Sequence, residues 1–221
     1  MPPQTSGEGI YYVRTDKKIE GGGDGSQDNP WQDLQQAVCS LKAGDILVVQ
    51  RGAFGQIVVD DRCQAGTPTA PIKVYFSSEA GISQNDAEAP ATLVVSQPYW
   101  FFYGIQMTLG EGKTGVIVSP DNRGVLLESL KVSGGSGVGI LVGEGATDIT
   151  IARSHIHHIG INAVGENAVP GAVASAAVVL ARGGRGIRLL ENKFHHIGGD
   201  PVYAFPALIG ADGGELFPAA E

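Results

Sequence analysis

The sequence predicts an all-β solenoid, a stack of short strands closed at its N-terminal side by one small helix. Three observations carry that expectation. Segments Ile149–Gly160 (ITIARSHIHHIG) and Ile187–Gly198 (IRLLENKFHHIG) repeat one pattern 38 positions apart and together hold all 5 histidines of the chain. A self-similar unit whose apolar residues alternate with polar ones cannot bury its hydrophobic edge alone; it needs a copy stacked upon it. Glycine, 33 of 221 residues, is about twice its ordinary share and falls singly or in short clusters, which suits corners and tight turns. Finally, strand-like runs follow one another with no helical period between them. That excludes a βαβ layout, and the scarcity of Asn-Gly and Asp-Gly pairs argues against a hairpin meander.

In chain order, Tyr11–Arg14 reads as a strand and Gly21–Asp28 as a Gly/Asp-rich turn. The one helix follows. Asn29 is placed to cap it, Pro30 stands at its first position, and Gln32 completes a capping-box spacing. Trp31, Leu34, Val38 and Leu41 form a single apolar stripe, and Gly44 is placed to end the helix. Strands are then expected at Asp45–Gln50, Gln56–Asp60, Ile72–Phe76, Ala91–Val95, Tyr99–Met107, Gly115–Val118, Val125–Val132, Val138–Val142, Ile149–His157, Ala176–Leu180, Ile187–His195 and Val202–Phe205.

The late strands set a register. Val125, Ile149 and Ile187 align, then Leu127, Ile151 and Leu189, with the first unit reading one residue short and lacking the Ser154/Asn192 corner. Ile161–Gly171 (INAVGENAVPG) reads as an insert at one corner, where solenoids often place binding loops. At about three strands per coil this makes about five or six coils and a rod about 25–30 Å long. The whole chain, 1–221, reads as one domain: strand and cap helix at 10–44, coils at 45–205, and a tail at 206–221. In the tail Leu208, Ile209, Leu216 and Phe217 are placed to plug the last coil.

Net charge is −8, without basic clusters, which argues against nucleic acid and anionic membranes as partners. No window reaches about 18 apolar residues, so no membrane-spanning helix is expected. The start, MPPQTSGEG, is polar and lacks a signal peptide's apolar run; it reads as a mature terminus behind an added Met. The 2 cysteines, Cys39 and Cys63, are expected to pair, with two reduced thiols as the other reading. A bridge would place the protein in a secreted or periplasmic setting.

Several runs carry a family likeness: YYVRTD, GGGDGSQDNPWQDLQQAV, LKAGDILVVQRGAF, AGTPTAPIKVYFSSEAG and the later NKFHHIG. Over residues 10–205 they resemble right-handed, single-stranded parallel β-helix proteins of the pectin-lyase-like group, near the alginate and chondroitin lyases. The resemblance implies that the early helix caps the first coil, that an acidic polysaccharide is the partner, and that Ca²⁺ is a possible cofactor. It also implies Lys and Arg as catalytic groups. β-Elimination from a uronic acid needs a charge to neutralise the carboxylate and a base for the C5 proton, and Lys193, Arg182 and Arg185 are the candidates.

Other signatures of the fold are missing. There is no Arg-x-Pro-x-x-Arg run, no Asn-Thr-Asp, Gly-His-Gly or Arg-Ile-Lys, and Asp200-Pro201 is followed by Val202 rather than His. The acidic pair Asp60-Asp61 reads as a corner and the Asp24–Asp28 turn as an ordinary turn, although its oxygens are of the kind Ca²⁺ takes.

For substrate contact the candidates are His155, His157, His195 and His196, with Trp100 and Tyr103 from the run Trp100–Tyr103, two of whose members alternation turns outward. In register, His157 lies over His195, His158 over His196 and His155 over Lys193. Repetition alone also produces such ladders, and no metal ligand is assigned. The reading is a secreted carbohydrate-active, lyase-like protein that binds or cleaves an acidic polysaccharide. The alternatives are a non-catalytic structural or adhesive β-helix that assembles end to end into a homo-oligomer through its C-terminal coil, or a shortened member lacking the catalytic coils.

Overall fold

Alternating side chains make every strand apolar on one side, and the computed structural model stacks those sides into one core. It describes residues 9–16, 18–19, 21, 23–83, 88–160 and 175–204. Strand β1 (Ile10–Val13) and helix α1 (Leu34–Ser40) precede a repeating path. The first repeat is β2 (Ile46–Phe54) with β3 (Ile57–Val59), and the second is β4 (Ile72–Ile82) with β5 (Ala91–Val95). Three strands make each later repeat: β6 (Trp100–Tyr103), β7 (Gln106–Leu109) and β8 (Thr114–Val118); β9 (Leu126–Glu128), β10 (Lys131–Gly134) and β11 (Val138–Val142). The last two are β12 (Thr150–Ala152), β13 (His155–Ile159) and β14 (Ala176–Leu180), then β15 (Arg188–Leu190), β16 (Lys193–Ile197) and β17 (Val202–Ala204).

Each strand pairs in parallel with the strand at the same place in the next repeat. The first face runs β4-β6-β9-β12-β15, the second β4-β7-β10-β13-β16, and the third is a 6-stranded sheet, β3-β5-β8-β11-β14-β17. Three inward ladders follow: Leu47–Val74–Phe102–Leu127–Ile151–Leu189, Phe54–Ile82–Met107–Val132–Ile156–Phe194, and Ile57–Leu93–Val116–Ile140–Val178–Val202. From Leu47 to Ile151 the first ladder is fully buried.

The expected long strands break at one residue each. Gly104, Ser129, Arg153 and Glu191 adopt left-handed backbone, with φ of 75°, 57°, 49° and 54°. The amides of Gly104, Ser129 and Arg153 still donate to Glu128, Ala152 and Leu190 in the next repeat, so pairing carries on through the bend. The next residue turns into the core. Ser154 donates its hydroxyl to Ala152 O and accepts from Leu130 N, while Asn192 accepts from Ser154 N and donates to Ile151 O. Leu130 holds this corner in the preceding repeat. Leu127 pairs with Ile151 and Lys131 with His155, so that repeat is not one residue short as expected.

The helix also differs from expectation. It begins at Leu34, with Asp33 as cap accepting from Gln36 N, rather than at Pro30 behind Asn29. The reason is competition: Trp31 accepts from Arg14 N and donates its own amide to Tyr12 O, which supplies β1 with ladder bonds. Leu41 is already extended, and Gly44 belongs to the turn closed by Asp45 N donating to Lys42 O. The capping role stands on a specific pair of bonds. The Gln35 amide accepts from Val58 N and donates to Val58 O, pairing the outer edge of β3 as another strand would. A disulfide joins Cys39 on α1 to Cys63 just past β3.

The Asp24 carboxylate accepts from Ser26 N and the Ser26 hydroxyl from Asn29 N, so this segment is a hydrogen-bonded turn. Asp60 pairs with Arg62 at its corner. No helix of the described residues is long and apolar enough to cross a membrane. The expected insert Ile161–Gly171, the end of the Val202–Phe205 strand and the 206–221 tail lie outside the described residues.

Candidate functional site

On the second face, two outward ladders run side by side. One reads Gln106–Lys131–His155–Lys193 and the other Thr108–Ser133–His157–His195. Neither contains a carboxylate, in a chain whose net charge is −8. Strands stack at about 4.8 Å, so equivalent side chains on neighbouring repeats touch.

The histidines depart from simple alternation. Along β13, His155 and His157 point out while Ile156 and Ile159 are buried, which leaves His158 as an extra residue, and it is exposed. Its φ is 57°, and its counterpart His196 has φ 53°. The ladder resumes beyond it, with Ile159 paired to Ile197. This left-handed bend, made at the same place in both strands, lets two consecutive side chains face the same way. The preceding repeat makes the same turn with Gly134 at φ 80°, the residue best suited to it.

All five imidazoles therefore meet. His157 and His195 stack in parallel at 5.1 Å between ring centres, and His158 stacks on His196 at 4.6 Å. Nε2 of His155 lies 2.6 Å from Nε2 of His195. The Nδ1 atoms of His157 and His158 are 2.6 Å apart, as are those of His195 and His196. Each such contact needs one donor and one acceptor, which is possible only if at least one ring of the pair is neutral. Burial, then the charges of neighbouring histidines and Lys193, pushes His155, His157 and His195 below the ordinary imidazole range. That shift favours their neutral form. His158, His195 and His196 bring ligand atoms within 4.8 Å of one another.

The other sequence candidates are distributed differently. Lys193 is exposed on β16 beside His155. Arg182 and Arg185 are exposed in the turn between β14 and β15, with β15 and the Glu191–Asn192 bend between them and Lys193. Trp100 is a correction: its side chain is fully buried and its indole donates to Gln64 O, so it is a core residue and not a sugar platform. In β6 it is Phe101 and Tyr103 that face outward.

Tyr103 stacks on Tyr75 at 4.4 Å, and burial with the nearby Tyr75 and Glu128 pushes its hydroxyl up to about 12. Arg153 pairs with Glu128 beside it and lies 3.9 Å from Glu191. The sequence candidates included His196 but not its register partner His158; left-handed backbone at both turns both imidazoles outward.

No protein-family model matches this chain, and no curated protein does either. Solved structures do. A rhamnogalacturonan lyase is 12% identical with TM-score 0.57, over 96% of this chain and 65% of its own. An alginate lyase from Paenibacillus sp. is 19% identical with TM-score 0.51, over 73% and 63%. A GH136 lacto-N-biosidase from Eubacterium ramulus is 14% identical with TM-score 0.58, over 83% and 40%. These likenesses are of fold: the chain shares a parallel-stranded β architecture with these neighbours, and it spans about two thirds or less of their length.

Proposed function

We propose that this is an exported, carbohydrate-active protein whose coils form a right-handed, single-stranded parallel β-helix and whose second face binds an acidic polysaccharide. The observation that carries the reading is the carboxylate-free strip of Lys131, His155, Lys193, Ser133, His157 and His195 on an otherwise acidic chain. A uronate polymer lying along it meets one cation or imidazole per repeat. The structural neighbours, two lyases and a glycosidase by name, support the carbohydrate class, and the disulfide supports export.

For lyase chemistry, Lys193 neutralises the uronate carboxylate and a neutral imidazole of the cluster takes the C5 proton; the C–H electron pair forms the C4–C5 double bond as the C4–O glycosidic bond breaks, and the departing oxygen takes a proton from solvent. Arg182 and Arg185, across β15, serve as cationic contacts for sugars further along the polymer. Ca²⁺ is not needed for this assignment. A polysaccharide array with alginate, pectate and chondroitin sulfate tests it, followed by ultraviolet detection of unsaturated product. Binding that weakens in Lys131→Ala and Lys193→Ala and fades with salt supports the reading, since exposed charges are screened within about 10 Å at 0.1 M ionic strength. No binding anywhere on the panel overturns it. Binding without product leaves a polysaccharide binder that is not a lyase.

End-to-end assembly is a second reading. It is favoured by the last described repeat, where Leu189, Phe194 and Val202 are less buried than their ladder partners Ile151, Ile156 and Val178. Light scattering decides it: a monomer at all concentrations removes it.

A further inference from the structure

The repeated His-His pair does more than extend a polar ladder. The geometry points to a transition-metal site formed by His158, His195 and His196, taking a borderline divalent ion of the Zn²⁺ type. It stands independently of the polysaccharide reading.

Three features carry it. The ligand atoms of these imidazoles already lie within 4.8 Å of one another. In a tetrahedral site with Zn–N of about 2.0–2.1 Å, neighbouring nitrogens sit about 3.3 Å apart. The His195–His196 contact of 2.6 Å therefore opens slightly and His158 closes in, within reach of side-chain rotation because His158 and His196 are exposed.

The second feature is backbone. His158 and His196 hold left-handed conformations at a position where the preceding repeat uses glycine. Such conformations cost of order 1–3 kcal/mol for a residue with a side chain, and the chain otherwise uses them at corners such as Ser129, Arg153 and Glu191. Paired in register at His158 and His196, they turn imidazoles outward that alternation would bury. The third is donor chemistry. Nitrogen donors without carboxylates suit Zn²⁺, Cu²⁺, Ni²⁺ or Co²⁺ and do not suit Ca²⁺ or Mg²⁺, which take oxygen.

Three protein ligands leave one position toward solvent, the arrangement of a site that holds water or an anionic oxygen rather than a closed structural site. The imidazoles of His155 and His157 flank it. His155 Nε2, 2.6 Å from His195 Nε2, is placed to orient the His195 ring as an outer partner.

Co²⁺ tests the site without any polysaccharide. After chelator treatment the full chain is titrated with CoCl₂ and followed by visible absorption, then displaced with ZnCl₂. One equivalent giving the bands of a low-coordinate nitrogen site, displaced by Zn²⁺, is expected. His158→Gly and His195→Gln each weaken binding by more than the about 10–100-fold typical of lost outer partners, and His155→Gln weakens it by no more than that.

His158→Gly also relieves the left-handed backbone, so its thermal midpoint holds or rises, and lost metal binding cannot be ascribed to misfolding. Absence of one-equivalent binding by the wild-type chain, or unchanged affinity in His158→Gly and His195→Gln, overturns the proposal. With the polysaccharide array run in chelator, failure here leaves that result untouched.

Discussion

The imidazoles of His157 and His195 lie in consecutive repeats with their planes 3° from parallel and their centres 5.1 Å apart. Strand spacing imposes that contact: parallel neighbours in register place like side chains one above the other at about 4.8 Å. Around this stack the other three histidines close, and the chemistry of the face follows from their shared environment.

Acid should destabilise the protein through this cluster. The folded-state pKa values of His155, His157 and His195 lie below the ordinary 6.5, so the unfolded chain binds more protons in the window between the two. Their contribution is complete above 6.5 and is lost as pH falls through the folded values. In chelator, the urea midpoint of the wild type should drop between about pH 7.5 and about pH 5 more than that of a His155→Gln/His157→Gln/His195→Gln variant. Equal drops exclude the cluster as the source. The carboxylates of Asp16, Asp24 and Asp60, held low by Arg14, Ser26 and Arg62, act only at more acid pH.

Trp100 is the largest fully buried side chain of the first face, and its indole is bonded to Gln64 O. Trp100→Ala should cost about 3–5 kcal/mol of folding stability, the range for large aromatic truncations in packed cores. Denaturant unfolding checks it. A loss under about 1 kcal/mol would mean a surface position.

Gln35 satisfies both backbone groups of Val58 at the edge of β3. Gln35→Ala should cost about 1–2 kcal/mol by leaving partly buried polar groups unpaired. It should also speed hydrogen exchange at the Val58 amide. Exchange at Val95, inside the same sheet, should change only as global stability does.

Reduction of Cys39–Cys63 should lower stability by roughly 3 kcal/mol, the chain-entropy value for its sequence separation of 24. A Cys39→Ser/Cys63→Ser variant should melt at the temperature of the reduced wild type. A variant as stable as the oxidised protein removes the disulfide's role in clamping the cap.

The sequence carried the repeats far. Leu127, Ile151 and Leu189 do align, and His155 does meet Lys193. The histidine stacking follows from the same spacing. What it misjudged shares one cause. The helix start moved from Pro30 to Leu34 because Trp31 is taken by β1, a partner about 18 residues distant in sequence that capping rules do not see. The long strands bend at Ser129, Arg153 and Glu191, residues that carry none of the glycine signal that marks Gly104.

Alternation and self-similarity are local properties, so the sequence by itself determined the stacked parallel strands, their register and the meeting of the histidine repeats. Which face each side chain takes was decided only by the tertiary structure. Trp100 went inward, and left-handed backbone turned His158 and His196 outward, a conformation that at a non-glycine residue is imposed by the paired strands on either side of it.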